Sequence, residues 1–207
     1  SATLPTSCLD AQSAGYSTSG YYLIDVHGSS GAQVPLIVLC DFDTVKNAVM
    51  MQVNHDFEGE QDIVDYDDEG SFAKDIVYFG NYGALVDLVQ GSTACTQYLG
   101  FKCSGTRIQE SDDQNTWWAS ADGSAVDHWS GATQSGMCAC GEIGECYDDS
   151  KGCNCEDDSD EEKEDKGYIT DASLLPVSQI RSGDTDSSNT ASVTLGRLIC
   201  YQRVGSE

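Results

Sequence analysis

Basic residues are scarce: ten Lys and Arg stand against 35 Asp and Glu, a net charge of −25. Like charges repel, so phosphate backbones and anionic membrane surfaces are disfavoured partners, and cations or basic proteins are favoured ones. So few bases cannot build the aromatic-interleaved basic patch that grips nucleic acid. Apolar runs are short as well, and none approaches the roughly 18 residues of a spanning helix. Histidine is limited to His27, His55 and His128, and neither Gly-x-Ser-x-Gly nor His-Glu-x-x-His occurs. The common hydrolase and zinc-protease signatures are therefore missing, as is a glycine-rich phosphate loop, and no catalytic residue is assigned. No Asn-x-Ser/Thr sequon is present, so N-glycosylation is not expected.

Cysteine, by contrast, is abundant and even in number: Cys8, Cys40, Cys95, Cys103, Cys138, Cys140, Cys146, Cys153, Cys155 and Cys200. Ten thiols exceed what packing needs, which points to disulfides and an oxidising compartment. A first residue other than Met fits removal of a signal peptide, and the expectation is a secreted, extracellular protein. A length of 207 residues with 39% apolar content and 21 glycines suits one loop-rich domain over 1–207. No internal repeat or linker divides it.

Local patterns place several elements. Tyr21–Val26 and Val34–Phe42 are β-branched and aromatic runs separated by turn residues at 27–32, which predicts a hairpin. Cys8 lies upstream of the first run and Cys40 near the end of the second, so a bridge between them would tie the N-terminal segment to the hairpin. Val49–Val53 predicts a third strand. Asn81 caps an apolar-patterned stretch that Gly91 stops, which predicts a short helix. Cys95 and Cys103 close a small loop and are expected to pair locally. The six cysteines from Cys138 to Cys200 would then form three bridges among themselves, in an order that spacing leaves open. Cys138-x-Cys140 and Cys153-x-Cys155 could also gather zinc, but an exported chain normally oxidises such thiols. Glu156 to Lys166 holds eight acids and two lysines and predicts a solvated loop at about 156–166. Val193–Tyr201 reads as a last strand.

Two sets of side chains invite a binding role. Asp65, Asp67 and Glu69 precede Gly70 with the start of a calcium-loop spacing, although Ile76 stands where the closing acid belongs. Asp157, Asp158 and Asp160, and Asp184 with Asp186, are further candidates, so calcium is a candidate cofactor. Trp117, Trp118, Trp129, Tyr98 and His128 offer flat rings that would stack on a glycan or an apolar ligand.

Ser19-Gly20-Tyr21-Tyr22-Leu23-Ile24-Asp25 followed by Leu39-Cys40-Asp41-Phe42 resembles the opening hairpin of fibrinogen-like domains. Trp117-Trp118, Asp122-Gly123, Asp127-His128-Trp129, Cys138-Ala139-Cys140-Gly141, Cys146, Cys153-Asn154-Cys155, Gly167-Tyr168-Ile169-Thr170, Leu175-Pro176-Val177 and Gly183-Asp184-Thr185 extend the likeness to the fibrinogen-like region of contactin-associated proteins. The resemblance implies an α+β fibrinogen-like domain: a twisted, mainly antiparallel sheet, short helices and long disulfide-stapled loops. It implies adhesion or lectin-like recognition of an extracellular protein or glycan, without catalysis. Fibrinogen-like lectins carry an Asp-rich calcium loop before a cysteine pair, whereas residues 131–137 (GATQSGM) hold no acid, so that site does not carry over. Two other readings fit the composition: a carrier of an apolar lipid or pigment, in a pocket or a homo-oligomer interface, and an acidic matrix protein binding calcium or mineral.

Overall fold

The structure is a computed structural model describing residues 3–28, 34–110, 113–156, 159–186 and 188–205. Helix α1 (Cys8–Ser13) starts at Ser7, whose Oγ accepts the Asp10 N–H at 3.0 Å. It delivers Cys8 to Cys40, as expected. The predicted hairpin is β1 (Gly20–Ile24) paired with β2 (Leu36–Asp41), Leu23 opposite Ile37. Residues 29–32 of its connection lie outside the described residues. Side chains alternate across this ladder. Ile24, Leu36, Val38 and Cys40 point into the core, whereas Tyr21, Leu23 and Ile37 are exposed.

Strand β3 (Ala48–Val53) follows where expected, then β4 (Glu60–Ile63) and β5 (Phe72–Asp75). Helix α2 (Tyr82–Gln90) runs from Asn81, whose side chain accepts the Gly83 and Ala84 N–H groups, to Gly91. It buries Ala84, Leu85, Leu88 and Val89. Next come β6 (Ala94–Ser104), the two-residue pair β7 (Gln109–Glu110) and β8 (Asp113–Gln114), then β9 (Trp117–Ala119) and β10 (Ala125–Val126). Helix α3 (Ala139–Ile143), β11 (Lys163–Ile169), β12 (Gln179–Ser182), β13 (Thr190–Leu195) and β14 (Leu198–Arg203) complete the chain. The main sheet runs β1-β2-β3-β14-β6-β13-β4, with β11 on β6, and a smaller sheet runs β10-β9-β12-β5. The pairings among described residues are antiparallel.

Four sequence expectations need correction. Cys95 does not pair with Cys103, because both lie on β6. Eight residues of extended strand separate them by about 26 Å, far beyond the reach of a bridge. Cys95 instead meets Cys200, directly opposite it on β14, and Cys103 meets Cys155. The six downstream cysteines therefore do not form three bridges among themselves. Cys138–Cys153 and Cys140–Cys146 do, while Cys155 and Cys200 reach back to β6. The acidic run is not all loop, since 163–166 belong to β11, laddered on β6 from Lys163 opposite Cys103 to Ile169 opposite Gln97. The last strand is two: four steps from Leu195 to Ile199 face three from Leu99 to Thr96, a one-residue bulge at Gly196. A Cβ at Gly196 would stand 3.0 Å from the Cβ of Tyr98, a tight contact that favours glycine at the bulge.

A buried polar network locks the loop at 175–178 to the sheet. Gln97 donates to the Gly196 carbonyl at 3.0 Å and accepts the Val177 N–H at 3.0 Å. Tyr78 donates its hydroxyl hydrogen to the Val177 carbonyl at 2.8 Å and accepts from the Gln97 amide at 2.8 Å. His55 Nδ1 accepts the Phe57 N–H, which leaves Nε2–H to donate to the Gly196 carbonyl at 2.9 Å. Burial lowers the His55 pKa below its ordinary value, keeping the ring neutral.

Candidate binding cleft

The predicted aromatic residues separate into different roles. Trp118 and Trp129 are core residues, 0% and 2% exposed, which removes them as a stacking surface. Each indole N–H is bound internally, Trp118 to the His128 carbonyl at 2.9 Å and Trp129 to the Asp165 carbonyl at 3.1 Å. Trp117 on the opposite face of β9 is half-buried over Gly70, where a Cβ would lie 2.1 Å from its ring. Tyr98 stands behind Tyr168, ring centroids 5.5 Å apart and edge to face. His128 packs edge-on against Trp118 at 6.0 Å.

His128 and Tyr168 share the rim of a cleft of about 120 Å³, walled by 130–133 on one side and 169–171 with Leu174 on the other. Its position follows from the fold. The segment from Asp127 returns through Gly131, whose left-handed backbone (φ 81°) crosses β11 at Gly167; a Cβ on Gly131 would come within 3.2 Å of the Gly167 Cα. The Glu142 carboxylate accepts Thr133 Oγ1–H at 3.0 Å and the Thr133 and Gln134 N–H groups, anchoring one wall to α3. The Thr133 N–H holds the Glu142 carboxyl below its ordinary pKa. Asp171 turns on Ser173, accepting its N–H at 2.8 Å and its hydroxyl at 2.6 Å, and these bonds lower its pKa too. The cleft thus presents an exposed aromatic ring, an imidazole, threonine side chains and an ionised carboxylate. A second groove, of about 140 Å³ at Glu60, is closed on itself: Glu60 binds Lys102 at 2.9 Å and Ser192 Oγ at 2.7 Å.

The disulfide-rich region fixes the neighbourhood of this cleft. Asp165, 2% exposed, accepts the Asn154 N–H at 3.0 Å and the Cys155 N–H at 2.6 Å. Desolvation outweighs these bonds and raises its pKa to about 6. Cys138, Cys153 and Asp165 form a compact group, but both sulfurs are already joined to each other, which leaves no thiolate for zinc.

The acidic candidates assemble in part. Tyr66 and Thr185 exchange N–H···O bonds of 2.8 and 2.9 Å, which sets the turn carrying Asp65, Asp67 and Glu69 beside the turn carrying Asp184 and Asp186. Among the described residues, no three carboxylates bring oxygens within 4.8 Å of one another. Asp186 is spent on its own turn, accepting from Ser188 and Asn189. Asp160 is exposed on the loop before β11, and Asp157 and Asp158 lie outside the described residues. Sequence reasoning missed Tyr168, Thr133 and Asp171 as site residues. Gly-Tyr-Ile-Thr was visible as a family likeness, but its apposition to 130–133 arises from the β11–β6 ladder.

No family model matches the chain. Its curated homologues include two long proteins. Neurexin-4 of Drosophila melanogaster is 32% identical across 95% of this chain. Contactin-associated protein 1 of Mus musculus is 31% identical across 88% of it. The chain spans 16% of the first and 13% of the second, so it corresponds to one segment of much longer proteins.

Proposed function

We propose that this neurexin-4-homologous chain is an extracellular, fibrinogen-like recognition domain whose cleft between His128 and Tyr168 grips a sugar residue displayed by a partner glycoprotein. The observation that carries the reading is the convergence of the Tyr168 ring, 57% exposed, with His128, Thr133 and Asp171 around about 120 Å³. A flat ring stacks on the apolar face of a pyranose while hydroxyl, imidazole and carboxylate groups take its hydroxyls. The five bridges and the kinship with neurexin and contactin-associated proteins support an extracellular adhesion setting. Binding here does not depend on calcium, because the cleft wall at 130–133 has no acid, Asp171 is the one carboxylate among the lining residues, and the acidic turns around Asp65 and Asp184 belong to other segments. The test is glycan-array binding of the chain and its Tyr168→Ala variant, with and without a chelator. Binding lost in the variant and kept under chelation supports the reading; binding unaffected by the variant refutes it.

A further inference from the structure

Independently of the cleft, the edges of the two larger sheets are unequal. Strand β4 carries Glu60 and Asp62, β11 carries charges from Lys163 to Lys166, β5 carries Lys74 and Asp75, and β10 is two residues long. Charge and brevity are the usual guards against unwanted strand pairing. Strand β1 has neither: Gly20–Ile24 is five residues without a charge or a proline, and among the described residues no strand pairs on its outer side. Among the described residues, the N-terminal segment packs Tyr16 edge-on against the inward-facing Tyr22, ring centroids 5.6 Å apart, and its main-chain bond to this region lies beyond the strand's end, where the Asp25 N–H donates to the Pro5 carbonyl at 2.9 Å.

The face that β1 shares is apolar. Tyr21 and Leu23 stand beside Leu39 and Ile37 through the β1–β2 register. The His55–Tyr78 bridge turns Val77 and Phe79 to this side, and the Ile37 N–H donates to the Phe79 carbonyl at 3.3 Å. Tyr21, Leu23, Ile37, Val77 and Phe79 are 43% to 58% exposed. Together they present on the order of 500 Å² of apolar surface, more than half of the roughly 800 Å² that each partner contributes to a standard interface. Acids bracket the strand at both ends. Asp25 follows Ile24, and at the other end Asp41 continues the outward row of β2 while Asp43 accepts from Ser19 Oγ at 3.0 Å.

We propose that β1 is a strand-addition site: an extended segment of a basic partner protein pairs with its free edge, lays alternate apolar side chains beside Tyr21 and Leu23, and places Lys or Arg near Asp25 and near Asp41 and Asp43. Main-chain bonds supply affinity and the apolar row supplies register. A second copy does not fit. Antiparallel pairing of two β1 strands would set Asp25 of each against the Asp41–Asp43 end of the other, between chains of charge −25.

The probe is a synthetic peptide of alternating Val and Thr closed at both ends by Lys pairs. Two controls accompany it, one with Glu for Lys and one N-methylated at alternate amides. Titration calorimetry and amide exchange at Tyr21 and Leu23 are the readouts. The expected result is salt-sensitive binding, protection of the β1 amides, and at least tenfold weaker affinity for Leu23→Asp, whose exposed position spares the fold and whose thermal midpoint confirms this. Four outcomes overturn the proposal: no binding, equal binding of the Glu peptide, equal binding of the methylated peptide, or concentration-dependent dimerisation lost in Leu23→Asp.

Discussion

Replacing Asp165 by Asn removes one buried charge and leaves the side-chain volume unchanged. Burial holds the Asp165 carboxyl at a pKa of about 6, against an ordinary value of 3.8. Between these values the folded chain retains a proton that the unfolded chain releases. The contribution of Asp165 to stability is therefore fully present below about pH 4 and declines as pH rises through 6. At about 1.4 kcal/mol per pKa unit, the decline amounts to about 3 kcal/mol by pH 7. The Asn variant has no such decline. It does lose one of the two N–H acceptors at Asn154 and Cys155, a roughly constant cost of about 1–3 kcal/mol. Chemical denaturation of both proteins at half-unit intervals from pH 4 to 7.5 gives the difference curve directly. Lowered-pKa groups such as His55 and Glu142 titrate in both proteins and cancel. The expected curve shifts by about 2.5 kcal/mol in favour of the variant across that range, roughly the first half kcal/mol having been lost by pH 4. A flat difference would show that the two N–H bonds keep the carboxylate ionised with an ordinary pKa, and the desolvation argument would fail.

The remaining predictions concern the frame of the fold. Gln97→Leu leaves the Val177 N–H without its buried acceptor and the Gly196 carbonyl with His55 alone, and urea denaturation should show a loss of about 1–3 kcal/mol, with unchanged stability ruling out the network as a lock. The Cys95→Ala, Cys200→Ala double variant opens a loop spanning 105 residues and should lose about 4 kcal/mol by the same assay. Peptide mapping of the unreduced chain should recover Cys95 linked to Cys200 and Cys103 linked to Cys155; a Cys95–Cys103 peptide would contradict the strand assignment of β6.

What was legible in the sequence was local. The hairpin, the helix capped by Asn81 and the Cys8–Cys40 bridge each depend on residues that announce their own geometry: alternation, a cap, a cysteine at each end of a short unit. The illegible parts depend on partners distant in sequence. Nothing between Cys95 and Cys103 says that the chain stays extended until β11, β13 and β14 are known to flank it. Lys163–Lys166 is too charged to read as a strand, yet the β6 ladder holds it, and alternation sends Asp165 inward. Trp117 and Trp118 look equivalent as letters and differ because one faces the core and its neighbour faces Gly70. The cleft joins segments some forty residues apart, so its Tyr168 and Thr133 could be seen together only in three dimensions.

The measurement that bears most directly on the recognition cleft is amide chemical-shift mapping of the labelled chain titrated with a panel of methyl glycosides. A sugar held in this cleft gives saturable shifts clustered at Gly131–Thr133 and Tyr168–Asp171 for at least one glycoside, abolished by Tyr168→Ala and unchanged by calcium removal. Shifts confined to the acidic turns around Asp65 and Asp184, or no saturable shifts with any sugar, would contradict this reading.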